Sequence, residues 1–162
     1  MIKPLFQKIL VLVDGSESSI HAVQYGILMA KLYRCSMKVV YVVDTATLKQ
    51  LTLSKFFVIE ESSEYEESLR ADGLRYLEYA SDLANAKGIK VETELLSGSV
   101  WAETVSAADE YNANLILLAC AEKADGGGHD VIRETYRLIM QNTPCSVLLV
   151  DEKQIEQLYK LA

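Results

Sequence analysis

Positive charge is in the minority in this chain. Its 162 residues hold 16 Lys and Arg against 23 Asp and Glu, a formal net charge of −7. A nucleic-acid binder that relies on bulk attraction to phosphate is normally basic, so that class is set aside. An anionic membrane surface is an equally poor partner. Cysteine is sparse: Cys35, Cys120 and Cys145 are odd in number, far apart and form no CxxC pair. They signal neither a disulfide framework nor a zinc site, and reduced, buried thiols are the expectation. No apolar run exceeds the length of a strand, so no membrane-spanning helix is expected. The first eight residues lack a signal-peptide pattern with a small-residue cleavage site, which makes the cytoplasm the expected location. Half of the residues are hydrophobic and 24% are charged. A chain of this length and composition buries roughly 70% of its extended surface and reads as one domain over residues 1–162.

What is present is a regular alternation. Lys8-Ile9-Leu10-Val11-Leu12-Val13 is a continuous apolar run, the mark of a strand covered on both faces. Asp14-Gly15-Ser16 breaks it, and Ser16 or Ser18 can cap a helix whose inner face carries Ile20, Val23, Ile27 and Ala30. Residues 37–43 form a second apolar strand that ends at Asp44. Residues 45–63 are less periodic and read as a loop with one short helical turn. A long helix is expected over 65–87, with Leu69, Gly73, Tyr76, Leu77, Ala80 and Leu83 inward and Gly88 at its C-terminal turn. Residues 89–96 alternate, as suits a strand near a sheet edge. A turn at 97–99, a helix over 101–111 and a buried strand over 115–119 follow. A polar loop runs from Cys120 to His129, a helix over about 130–141 ends before Pro144, and residues 146–150 form the last strand. The tail, 151–162, places Ile155, Leu158 and Tyr159 at helical spacing. Strands alternating with helices predict an α/β fold, an open, doubly wound parallel sheet with helices on both faces.

In such sheets ligands bind at the carboxyl ends of the strands, where the strand order reverses. The walls of that crevice are expected from residues 12–16, from Val42, Val43 and Asp44, and from the loop 120–129. Asp14 has two readings: an acceptor for a base or ribose, or a carboxylate receiving backbone N–H groups at a helix start. Gly126-Gly127-Gly128 can form a backbone nest for an anion or a plain connector. GxGxxG, GxxxxGK[ST] and GxSxG are all missing from the sequence, so the usual dinucleotide, P-loop and hydrolase sites are not signalled. Cys120 with His129 is a weak candidate for a nucleophile and base, and no catalytic residue is assigned. His21 reads as surface or cap packing. The run Glu60-Glu61, Glu64, Glu66-Glu67 reads as a solvated approach to a helix, so no metal site is expected.

These segments, in this order and spacing, resemble the universal stress protein family. The opening Lys8 to Ser16, the strand ending at Asp44, the pieces Gly88-Ile89-Lys90-Val91, Ser97-Gly98-Ser99 and 113–118, and the close 142–150 carry the likeness, except that Ser146 stands where proline is usual. The likeness covers residues 6–150. It implies a five-stranded parallel sheet of order 3-2-1-4-5 and a homodimer paired through the last strand, with Val147, Leu148, Leu149 and Val150 at the interface. The ATP-binding branch carries G-x-x-G-x(9)-G-S/T after the fourth strand. Those positions fall here on Cys120, Lys123, Arg133 and Glu134, and none matches. Asp14 and Val42 match positions that hold the adenosine part in ATP-binding relatives, and Val13 beside them is a further candidate, so the resemblance implies a pocket whose sugar-and-base side survives while its phosphate side does not. Side chains at 133 and 134 block the close approach that glycine permits, and a carboxylate at 134 repels phosphate. Arg133 can offset that by pairing with phosphate or with Glu134.

The resemblance therefore implies a dimeric stress-response regulatory or interaction module, not an enzyme, with no bound cofactor. The alternative is an ATP- or AMP-binding sensor that uses a divergent phosphate loop, for which Gly126, Gly127 and Gly128 are the candidates. The last strand, 146–150, would have an open edge of backbone donors and acceptors, a template for pairing with its copy. The tail is the element that could cover that edge instead.

Overall fold

The computed structural model describes residues 2–55, 58–120 and 128–162, and of residues 128–131 only the backbone course. The chain runs β1 (Lys8–Val13), α1 (Glu17–Tyr33), β2 (Ser36–Asp44), α2 (Thr45–Leu53), α3 (Ile59–Asn85), β3 (Glu92–Gly98), α4 (Val100–Tyr111), β4 (Leu115–Ala119), α5 (Gly128–Asn142), β5 (Ser146–Val150) and α6 (Ile155–Leu161). The five strands form one sheet in the order β3-β2-β1-β4-β5, and every neighbouring pair is parallel. The expected fold class and strand order are what the structure shows.

Alternate residues of each strand feed two cores. On one face Ile9, Val11 and Val13 of β1, Val39 and Tyr41 of β2 and Leu117 of β4 pack under α1, α3 and Tyr159 of α6. On the other face Leu10 and Leu12, Val40 and Val42, and Ile116 and Leu118 pack under α4 and α5 through Ala108, Tyr111 and Ile139. This is why β1, β2 and β4 are unbroken apolar runs: both sets of side chains must leave water. β3 lies at one edge, where exposed and half-buried residues mix.

Two expectations are corrected. Residues 45–63 are not a loop with one turn, because they contain the nine-residue α2 and the start of α3. Asp44 is the reason for α2. Its Oδ1 accepts from the Thr47 amide at 3.0 Å and its Oδ2 from the Thr47 hydroxyl at 2.7 Å, a side-chain cap on an otherwise weak helix. Leu48 alone of α2 is buried. α3 begins at Ile59 rather than near 65, with Glu60 and Glu61 in its first turn, where carboxylates suit the positive end of the helix.

α3 lies so close to the sheet that only glycine fits at position 73. A Cβ there would sit 2.6 Å from the Tyr41 ring and 2.7 Å from Leu95 Cδ1. Replacing Gly73 with alanine in a helix gains about 1 kcal/mol of propensity, while overpacking a tight contact costs about 1–3 kcal/mol. The steric cost exceeds the gain, because a Tyr ring wedged in the core cannot swing away. Gly73→Ala is therefore expected to lower the urea midpoint. A midpoint at or above that of the parent chain would show that α3 lifts off the sheet freely.

Candidate functional site

The sheet turns its carboxyl ends toward one crevice. There, an apolar cavity of about 190 Å³ opens over the ends of β1 and β2. Leu12, Val13 and Asp14 line it from β1 and its exit, Tyr41, Val42 and Asp44 from β2, Leu69 from α3 and Val100 from α4. The structure thus brings together Leu12, Val13, Asp14, Val42 and Asp44, all expected from sequence as walls of the crevice. Tyr41, Leu69 and Val100 were not selected as site residues. Tyr41 directly precedes Val42 and points to the opposite face, so a reading of one strand face passes over it.

Asp14 is exposed and its Oδ1 accepts from the Ser16 amide at 2.9 Å. Ser16 Oγ in turn accepts from the Ser19 amide at 3.1 Å and caps α1. The helix-start role of Asp14 is therefore realised. Among the described residues Oδ2 has no hydrogen-bond partner, and Asp14 lines the crevice. Gly15 makes the turn with φ +86°, and a Cβ there would lie 2.7 Å from the Tyr76 ring. Tyr76 stacks on Tyr41 with ring centres 6.2 Å apart, closing the α3 side of the site.

On the β4 side Tyr136 of α5 donates its hydroxyl to the Ala119 carbonyl at 2.7 Å. Burial pushes its phenol pKa up, and the Asp14 carboxylate pushes it the same way. Tyr41 is raised too, by burial first and by the charges of Asp72 and Asp14 among others. The Asp14 charge thus acts in the same direction as burial on both phenols.

The remaining selected residues are less convergent. Gly126 and Gly127, with Lys123, lie outside the described residues, as does the side chain of His129. Gly128 is the first residue of α5. Arg133 and Glu134 are exposed and fall inside α5. Glu134 pairs with Arg137 rather than with Arg133, and that guanidinium holds its carboxyl below the usual carboxylate range. In β5, Leu148 and Val150 turn toward the α1 core and Val147 toward the α5 core. Val150 is buried in its own chain, whereas Leu149 is 48% exposed.

A model described as the universal stress protein family matches residues 5–151 of this chain. A universal stress protein of Methanocaldococcus jannaschii is 28% identical over 94% of this chain and 86% of its own length. Among solved structures, a protein of this family from Burkholderia pseudomallei superposes with a TM-score of 0.71 at 20% identity, covering 93% of this chain and 100% of its own. A family protein from Arabidopsis thaliana, solved with AMP bound, gives 0.63 at 14% identity, covering 93% and 94%.

The buried phenols make alkaline stability a readout of this geometry. Tyr41, Tyr111, Tyr136 and Tyr159 are all pushed up from 10.0, burial being the first cause in each. A raised folded-state pKa leaves stability intact below the unfolded value and removes it as pH rises toward the folded one. The urea midpoint is expected to begin falling above about pH 9, where the Cys35 and Cys145 thiols, also raised from 9.0 by burial, titrate in the unfolded chain, and to fall more steeply above about 10 as the phenols follow. Tyr136→Phe removes one hydrogen bond, about 0.5–1.5 kcal/mol at pH 8, and should make the alkaline fall shallower. An unchanged slope in that variant would place the Tyr136 hydroxyl in water.

Proposed function

The chain belongs to the universal stress protein family, and from that membership we propose that it acts as a dimeric stress-response regulatory and interaction module that does not bind ATP tightly. The course of α5 carries this reading. A helix leaves only its first four N–H groups unbonded. α5 starts at Gly128, so the amides of Arg133 and Glu134 are committed to the helix ladder. They stand where the ATP-binding branch has Gly and Ser or Thr, and they offer neither free backbone donors nor a close approach for phosphate. Glu134 is held in an ion pair with Arg137, so neither side chain stands free at that surface to receive phosphate. The cavity over β1 and β2 is about 190 Å³, below the roughly 300–1,000 Å³ of most small-molecule pockets. No residue is assigned a catalytic step.

One observation favours a second reading, an AMP- or ATP-responsive sensor. The glycine run 126–128 leads directly into the N-terminus of α5, whose free N–H groups and dipole suit an anion. The Arabidopsis relative has AMP bound. Isothermal titration of nucleotide-free protein separates the two readings. With Mg-ATP the expected dissociation constant is weaker than about 10 μM, some −7 kcal/mol. A tighter value means that a phosphate site exists by another route and supports the sensor.

The dimer is the second element of the proposal. β5 is an edge strand, and among the described residues no strand or helix pairs with its outer side. A two-fold axis perpendicular to the strand at this edge would pair it antiparallel with its copy and cover Leu149. Light scattering at tens of micromolar should give twice the chain mass. Leu149→Asp puts like charges across the axis and is expected to shift the protein to monomer, with dissociation at least tenfold stronger. A monomeric parent chain removes the dimer from the proposal.

A further inference from the structure

On the flank of α1 against which α6 packs, two helices bring metal-ligating groups together. Glu17 and His21 lie one turn apart on α1, and Glu156 reaches them from α6. His21 Nε2 is 3.2 Å from Glu156 Oε1. One ligand atom from each of the three residues falls within 4.8 Å of the other two. We propose that Glu17, His21 and Glu156 form a site for a divalent transition metal, with Zn²⁺ the ion that suits it best. This inference does not depend on the functional reading above.

The geometry favours zinc. Zn²⁺ takes imidazole and carboxylate ligands at about 2.0–2.2 Å in a tetrahedron, and the edge of such a tetrahedron is about 3.3–3.5 Å. The His21–Glu156 separation is already near one edge. Glu17 is exposed, and its ligand atom lies within 4.8 Å of those of His21 and Glu156. A neutral imidazole with two carboxylates gives the pocket a formal charge of −2, which the ion cancels, in a chain that is itself at −7. A hard cation such as Mg²⁺ prefers oxygen ligands alone and keeps its waters.

Gln24 is the independent observation. It is 8% exposed, and its side-chain oxygen is buried with no hydrogen-bond partner among the described residues. Positions 17, 21 and 24 share one face of α1. α6 crosses that face, bonded to it on either side of Gln24: Glu156 meets His21, and Lys31 donates to the Ala162 carbonyl at 3.1 Å. A buried acceptor without a donor is costly. A water in the fourth position on zinc is a strong donor, and from His21, one turn away, it would give the Gln24 oxygen its missing partner. The competing role is purely structural. Glu17 and Glu156 sit in the first turns of α1 and α6, where a carboxylate is favoured without any ion, and His21 pairs with Glu156 as it stands.

The test uses the full chain without an affinity tag. Zinc chloride is titrated calorimetrically, and cobalt chloride is added in parallel as a spectroscopic probe. One equivalent of zinc should bind in the micromolar range. The cobalt spectrum should show nitrogen and oxygen ligation without the charge-transfer band of a thiolate. In the unaltered protein, zinc should shift the ring resonances of His21 and leave those of His129 in place. His21→Ala and Glu156→Gln should each weaken binding at least tenfold, with Gln24→Leu weakening it by a similar factor. No binding, a thiolate band, or His21 resonances that ignore zinc would each overturn the site. The resonance measurement needs no variant and stands even if one fails to fold.

Discussion

The double burial of β1 is the constraint on which the rest of the structure depends. Ile9, Leu10 and Val11 have no exposure, and β1 is paired with β2 on one side and β4 on the other. A strand with one polar face has its register set by alternation, since a slip of one residue would drown the polar side. β1 is apolar on both faces, so alternation cannot set it. The ends do so. At the start, the Asn114 side-chain oxygen accepts from the Gln7 and Lys8 amides at 2.9 and 2.8 Å, and the Asn114 amide donates back to the Lys8 carbonyl at 2.7 Å. At the far end, Gly15 lies under the Tyr76 ring with no room for a side chain. These two fixtures decide that Asp14, and no neighbour, stands at the mouth of the crevice.

Much of the architecture was readable from residue pattern, and the misses share one cause. β1, β2 and β4 announce themselves as unbroken apolar runs because two layers of helix must cover them. The inner stripe of α3 was readable as well, since Gly73, Leu77 and Ala80 recur at helical spacing and are buried. α2 was not. It has one buried residue, Leu48, and so almost no stripe to detect. Its signal is instead the cap, Asp44 followed three residues later by Thr47, and Asp44 had been read as the end of a strand. Both descriptions are true of the same residue. The Asp14 to Ser16 turn shows the opposite case, because Ser16 before an amphipathic run marks the helix start from sequence alone, and that is where α1 is capped.

The site was half readable for a related reason. Val13, Asp14 and Val42 sit at strand ends, and strand ends are easy to locate. Tyr41, Leu69 and Val100 reach the same cavity from different faces and layers, and only the packed structure shows which side chains meet there. Tyr136 is a similar case. It sits three residues before the fully buried Ile139, a helical spacing that marks it as inward, but nothing in the sequence says that it bonds to the last residue of β4 or lies within reach of the Asp14 charge. The cluster of Glu17, His21 and Glu156 is further still from sequence reach, because 135 residues separate His21 from Glu156.

The tail decides how these parts coexist. A helix after an edge strand can fold back along that edge and close it, and the apolar residues of 151–162 made this the main threat to pairing through β5. Residues 151–154 instead carry the chain away, and α6 settles on α1, with Ile155 and Tyr159 buried. Tyr159 donates to the Leu83 carbonyl at 2.6 Å, and Lys87 lies 4.7 Å from the centre of its ring, so α6 ties α1 to α3 as well. The apolar content of the tail is thereby spent on the helical layer. Among the described residues no strand pairs with the outer side of β5, and Leu149 stays half exposed on the α5 side of the sheet. The His21–Glu156 contact lies on the α1 layer, the opposite face. A partner strand on β5 and an ion between α1 and α6 would therefore act on different surfaces.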